Sequence, residues 1–180
     1  NFNSDNCAAG GFTLDYGPFG FCELFNPRFQ PWTGGGEHFS FFNQPSAGQV
    51  NFKTFCSSLR PLLSGKQEYI ENLDQIENDF SELMSKELQQ MWANKIGLNF
   101  YDKTLVNEIL NLMVISKADY TILFRKLSCI PENLDSIKDS FYLPINQELH
   151  QRWEVWLKNW QDNLKKEANI KTKSKSMKSL

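Results

Sequence analysis

Beyond residue 45, apolar residues recur at three- and four-residue steps through most of the chain, a spacing that predicts a helical body. Over 68–95, Ile70, Leu73, Ile76, Phe80, Leu83 or Met84, Leu88 and Met91 trace one stripe of a long amphipathic helix. Gly97 is its natural stop, because helices commonly end on a residue in the left-handed conformation. An earlier helix over 46–63 carries Val50, Phe52, Phe55, Cys56 and Leu59, with Ser46 as its cap and Pro61 disrupting it. Asp102 caps a third helix that turns Leu105, Ile109, Leu112 and Met113 inward and ends near Lys117. Asp119 caps a fourth, from Tyr120 to about Ile130, stopped by Pro131. A last helix over 146–167 places Leu149, Trp153, Trp156, Trp160 and Leu164 on one stripe, the spacing of packing between helices.

The first 45 residues follow another rule. Cys7-Ala8-Ala9 and Phe12-Thr13-Leu14 flank Gly10-Gly11, a two-residue hairpin signal, since a type I′ turn needs positive φ at both central positions. With Gly10-Gly11 as the turn, Ala9 faces Phe12, Ala8 faces Thr13, Cys7 faces Leu14 and Asn6 faces Asp15. Opposed residues of an antiparallel pair have Cβ atoms roughly 4.5–5.5 Å apart. An amide oxygen and a carboxylate would then converge, a place for a hard divalent cation such as Mg2+, which takes one or two protein oxygens, keeps waters and draws on substrate phosphates. Asp5 would stand at the mouth of that site as a second carboxylate, able to orient or deprotonate a nucleophile. The competing reading makes Asp5 and Asn6 loop polars and Asp15 the start of an Asp-Tyr-Gly-Pro turn. The expected fold class is mainly α with a short β-hairpin.

Residues 22–45 are rich in aromatics, Gly and Pro and predict a long irregular segment, its aromatics packed as a satellite core under a loop. The Gly34-Gly35-Gly36 run lacks the G-x-x-x-x-G-K-[ST] pattern and reads as a flexible turn; His38 reads as a structural histidine. Residues 168–180 are Lys- and Ser-rich and read as a solvated basic tail. A net charge of −2 over 180 residues gives no reason to expect nucleic acid or an anionic membrane as a partner, and no apolar run approaches the ~20 residues that span a bilayer. Cys7, Cys22, Cys56 and Cys129 have neither zinc-site spacing nor the density of a disulfide framework, and are expected as free thiols.

Asn3-Ser4-Asp5-Asn6, then Leu14-Asp15-Tyr16-Gly17-Pro18-Phe19-Gly20-Phe21, then Asn43-Gln44-Pro45 resembles the selenoprotein O family of kinase-like protein adenylyltransferases. The resemblance continues through Lys95-Ile96-Gly97-Leu98, residues 105–113, Asp119-Tyr120-Thr121 with Phe124-Arg125-Lys126-Leu127, and the helix around Trp153 and Trp156. It implies the C-terminal lobe of a protein-kinase-like fold and transfer of AMP from ATP to protein hydroxyl groups. It also implies Asn6 and Asp15 as ligands of Mg2+ or Mn2+, Asp5 as proton acceptor, and a mitochondrial location if the source is eukaryotic. Ser4 stands where the family usually has threonine, and Cys7-Ala8-Ala9 replaces a bulkier, more polar piece; neither touches an implied ligand. An ordinary kinase catalytic loop has its Asp five residues before its Asn, whereas Asp5 and Asn6 are adjacent.

Three segments are expected: 1–45 with the hairpin and an activation-segment-like loop, 46–167 as a helical lobe, and 168–180 as the tail. Because the chain opens on Asn1 with no glycine-rich loop or strand lysine before Asp5, it reads as an internal piece of a larger enzyme, not active alone. Two alternatives stay open: a kinase-like phosphotransferase, and a non-catalytic helical interaction module.

Overall fold

The computed structural model describes residues 2–12, 14, 22–31, 36–166 and 170–178. It is mainly helical, and the chain groups into two compact units. One combines the N-terminal residues with Pro27–Glu87; the other combines the segment ending at Asn26 with the chain from Leu88 onward.

In the first unit, helix α1 (Gln44–Leu59) starts two residues before the expected Ser46. Pro45 sits in its first turn, where a missing N–H costs nothing because that donor has no partner within the helix. The preceding Asn43 does not cap it; its side-chain amide donates instead to the carbonyls of Glu37 (3.3 Å) and His38 (2.7 Å), closing the loop before the helix. A 3-10 turn, Arg60–Leu63, follows. From there the Arg60 guanidinium reaches Asp74 (2.5 Å) and Glu77 (2.9 Å) on helix α2 (Gln67–Lys95). The Phe52 and Phe80 rings stack at 4.6 Å between the same two helices. The inward face of α2 runs through Ile70, Leu73, Phe80 and Met84, while the expected Ile76 and Leu83 are exposed. Glu77 takes the inward place because Arg60 is there to pair with it.

The second unit holds α3 (Lys103–Ser116), α4 (Tyr120–Leu127), a 3-10 stretch (Leu134–Ser140), α5 (Gln147–Lys166) and α6 (Ile170–Lys178). The caps are where the sequence puts them. Asp102 accepts from the backbone N–H groups of Thr104 and Leu105, and Asp119 from that of Ile122. Lys117 closes α3 in the left-handed conformation at φ 51°. Helix α4 stops at Leu127, short of the expected Ile130, which takes φ 52° before Pro131; a residue preceding proline is disfavoured in the right-handed helical region.

The α5 stripe packs on α3, with Leu149, Trp153, Trp156, Trp160 and Leu164 all buried. The Trp160 indole N–H donates to the carbonyl of Ile96 (2.7 Å), just past the end of α2, where carbonyls lack a partner within the helix, and that of Trp156 adds a bond to the Leu105 carbonyl in the first turn of α3 (2.9 Å). The segment expected as a solvated tail carries α6, whose Met177 is buried.

Gly97 shows why α6 has a seat. Its φ is 74°, and a Cβ there would lie 2.8 Å from Met177 Sδ and 3.3 Å from Leu164 Cδ2. Gly97→Ala is therefore expected to cost about 1–3 kcal/mol, from left-handed strain together with displacement of Met177. Thermal melting checks this; a Tm equal to that of the unsubstituted protein would contradict it.

Among the described residues the β-structure comprises isolated bridges rather than a sheet: Ala118 pairs with Phe141, next to an Asp119 N–H to Ser140 carbonyl bond of 2.8 Å.

Candidate functional site

Phe2–Leu14 is held together by short-range hydrogen bonds. Asn3 caps a 3-10 turn, Ser4–Asn6, its side-chain oxygen accepting from the Asn6 N–H at 3.1 Å. The Cys7 thiol donates to the Asn3 carbonyl at 3.1 Å, closing the same loop from its far side. Asp5 is exposed on this turn and Asn6 is half-buried. The two neighbouring polar residues thus stand on a self-capped turn rather than in an unstructured lead.

The chain then reverses, with a turn and register other than those expected. The Gly11 N–H bonds the Ala8 carbonyl (3.0 Å), and the Ala8 N–H bonds the Phe12 carbonyl (3.0 Å). Only Gly11 of the two glycines has positive φ, 84°. Ala9-Gly10 therefore occupy the centre, and Gly11 is the left-handed residue of a three-residue hairpin loop, a common arrangement that needs one positive φ instead of two. Phe12 pairs with Ala8 rather than Ala9, and the Leu14 N–H bonds the Asn6 carbonyl at 2.8 Å. Asn6 faces Leu14, not Asp15. A one-residue slip in pairing changes every facing partner. Asp15, with Tyr16 to Phe21 of the same motif, lies outside the described residues, as do Gly34 and Gly35 of the glycine run.

Helix α1 supplies two partners: Gln44, read from the sequence only as part of the Asn43-Gln44-Pro45 motif, and Asn51, which the sequence reading did not single out. The Phe2 N–H donates to Gln44 Oε1 at 2.7 Å, and Asn51 Nδ2 donates to the Phe2 carbonyl at 2.6 Å. The only hint in the chain is a polar residue seven positions after Gln44, within the otherwise apolar Val50-Asn51-Phe52.

The remaining motif residues meet elsewhere, in the second unit. Lys95 Nζ lies over the rings of Tyr120 (5.2 Å) and Phe124 (4.9 Å), and burial lowers its pKa. The second Asp119 carboxylate oxygen accepts from the Tyr142 hydroxyl at 2.6 Å, which pushes that hydroxyl's pKa up to about 12, the hydrogen bond to the carboxylate being the largest cause. Lys95 and Asp119 thus have packing and capping partners of their own. His38 is exposed, with its ring edge-on to Phe39 at 4.5 Å.

As donors, Asp5 and Asn6 offer a carboxylate and an amide oxygen, ligand types suited to a hard cation. Among the described residues no group of three or more His, Cys, Asp or Glu side chains gathers in a metal-binding arrangement. The four cysteines are free, Cys56 among them buried. No helix is long and apolar enough to cross a membrane.

The chain is similar to proteins named as nucleotidyltransferases. It is 32% identical over 148 residues to a "Protein nucleotidyltransferase YdiU" of Aromatoleum aromaticum, covering 78% of this chain and 28% of that one. It is 31% identical over 185 residues to the protein of that name from Lachnoclostridium phytofermentans (99% and 36%), and 27% identical over 179 residues to that of Flavobacterium johnsoniae (92% and 34%). The family model described as "Protein adenylyltransferase SelO" matches residues 1–180, and the chain belongs to that family. It spans about a third of the length of these relatives.

Proposed function

We propose that the intact protein transfers AMP from ATP to serine, threonine or tyrosine hydroxyls of proteins, and that this chain forms part of the C-terminal lobe of a kinase-like fold. The observation that carries this reading is the family match over the whole chain, with Asp5 and Asn6 presented on a capped turn. Asn6 and Asp15 are the proposed ligands of Mg2+ or Mn2+. When bound, such a cation offsets charge on the ATP phosphates.

Asp5 is the proton acceptor. Its exposure leaves it open to a protein hydroxyl, whose oxygen attacks the α-phosphorus. The new bond is from that oxygen to phosphorus; the bond from the α-phosphorus to the bridging oxygen breaks, pyrophosphate leaves, and the hydroxyl proton passes to the Asp5 carboxylate. Holding the attacking oxygen and the acceptor in place supplies much of the rate in phosphoryl chemistry, and the same applies here.

Labelling decides between this reading and phosphotransfer. With the intact protein and protein acceptors, α-³²P from ATP is expected on protein and γ-³²P is not; γ label on protein would make the enzyme a kinase. Asp15→Ala is expected to abolish the α label, and normal turnover in that variant would remove Asp15 from the metal site.

A further inference from the structure

We propose that Gln44 and Asn51 are positioning residues for the Asp5–Asn6 turn, with Gly48 between them as the seat on which Phe2 closes against α1. The proposal rests on the reading of Asp5 and Asn6 just given and adds what holds them.

The geometry begins with a single residue gripped at both backbone groups. The Phe2 N–H is bound by Gln44 Oε1 (2.7 Å) and the Phe2 carbonyl by Asn51 Nδ2 (2.6 Å). Gln44 and Asn51 are seven residues apart on one helix, about two turns or roughly 10 Å, so they share a face. The Gln44 amide has one orientation that satisfies it. Its Nε2 lies 2.8 Å from both the Phe39 and Ser40 carbonyls, which can only accept, so Oε1 must face Phe2. One amide thereby joins the loop before α1 to the segment that leads into Asp5. Gly48, on the same face, lets the Phe2 ring approach closely: a Cβ would sit 3.0 Å from Phe2 Cε1 and 3.2 Å from Cδ1, so the ring would have to give by a few tenths of an ångström.

From Phe2 the grip passes directly to the turn. Asn3 follows it and caps Ser4–Asn6, and Asn51 Nδ2 also approaches Cys7 Sγ at 3.7 Å, on the far side of the turn. The turn is therefore held to α1 at its entry and at its exit. Only Asn3 and Ser4 separate Phe2 from Asp5, and the Asn3 cap and the Cys7 thiol restrict the freedom of that span. A misplacement of about 1 Å at a reacting group can cost on the order of 10²-fold in rate, so the Gln44–Gly48–Asn51 face has leverage over chemistry it does not touch.

The test uses the intact protein carrying Asn51→Asp, which keeps the side-chain shape but sets a carboxylate oxygen against the Phe2 carbonyl. Hydrogen-exchange mass spectrometry is expected to show peptides over 2–8 exchanging at least about tenfold faster, with peptides from α3 and α5 unchanged. AMP transfer is expected to lose at least about tenfold in kcat, with KM for ATP little altered and the Mg2+ concentration for half-maximal rate rising severalfold. Asn51→His restores an N–H donor at the position of Nδ2 and should recover most of the protection and of the rate. Unchanged exchange over 2–8, or faster exchange spread evenly over the chain, overturns the proposal. Should Asn51→Asp fail to fold, Gln44→Glu takes its place; it keeps an oxygen toward Phe2 while removing the donors to Phe39 and Ser40, and the same exchange criterion applies. If Asp5→Asn abolishes transfer while Asn51→Asp changes neither exchange nor kcat, only the positioning role falls. If exchange over 2–8 rises but the unsubstituted protein transfers no AMP, only the catalytic reading falls.

Discussion

Asp5→Asn in the intact protein is expected to lower the rate of AMP transfer at saturating ATP by about 10²–10⁴-fold, the range a positioned proton acceptor contributes. Asparagine keeps the shape and removes the basic oxygen, so the loss should appear in kcat with KM for ATP little changed. Asp5 is exposed on its turn, and the turn is capped by Asn3 rather than by the Asp5 side chain, so the melting temperature should stay the same. Initial-rate measurements with α-labelled ATP across a range of pH check this. A variant within about threefold of the unsubstituted rate would show that the proton leaves by another route.

The second large effect is on stability. Trp160→Ala is expected to destabilise the protein by about 4–6 kcal/mol: about 3–5 for the cavity left by a buried aromatic, and a further ~1 or more for the Ile96 carbonyl that loses its donor. That approaches the entire stability of a typical domain, about 5–15 kcal/mol, so the variant should lose a cooperative urea transition under ordinary conditions. Trp153→Phe is the control. Trp153 is equally buried, but its indole nitrogen has no hydrogen-bond partner among the described residues, so the replacement forfeits only packing and should cost about 1–2 kcal/mol. Equal losses in Trp153→Phe and Trp160→Phe would show that the indole hydrogen bond contributes nothing beyond volume.

The helical body was legible at the level of single residues. Asp102 and Asp119 cap the helices they were expected to cap, Gly97 adopts the positive φ of a helix stop, and the tryptophan stripe faces inward. Departures arose where a partner distant in sequence chose between equivalent options. Arg60 drew Glu77 to the inward side of α2, and Met177 found a seat over Gly97 in a segment whose composition suggested solvent. Of the candidate site, Asp5 and Asn6 were legible as adjacent polar residues before a turn and Gln44 as part of a motif, whereas the contact of Gln44 with Phe2 and the whole part of Asn51 were not. Gln44 and Asn51 act across 42 and 49 residues of chain, a separation at which periodicity carries no information.

By itself the amino-acid sequence determined most of the helices, the Asp102 and Asp119 caps and the family. Those depend on local spacing, on side chains reaching the backbone two or three residues away, and on motifs read in order along the chain. Only the tertiary structure decided the register of the N-terminal reversal and the face of α1 on which the Asp5–Asn6 turn rests. The same residues can pair in either of two registers with nearly the same local chemistry. What separates them is the turn geometry, one positive φ at Gly11 instead of two, while the face of α1 is chosen by hydrogen bonds that exist only after distant segments have met.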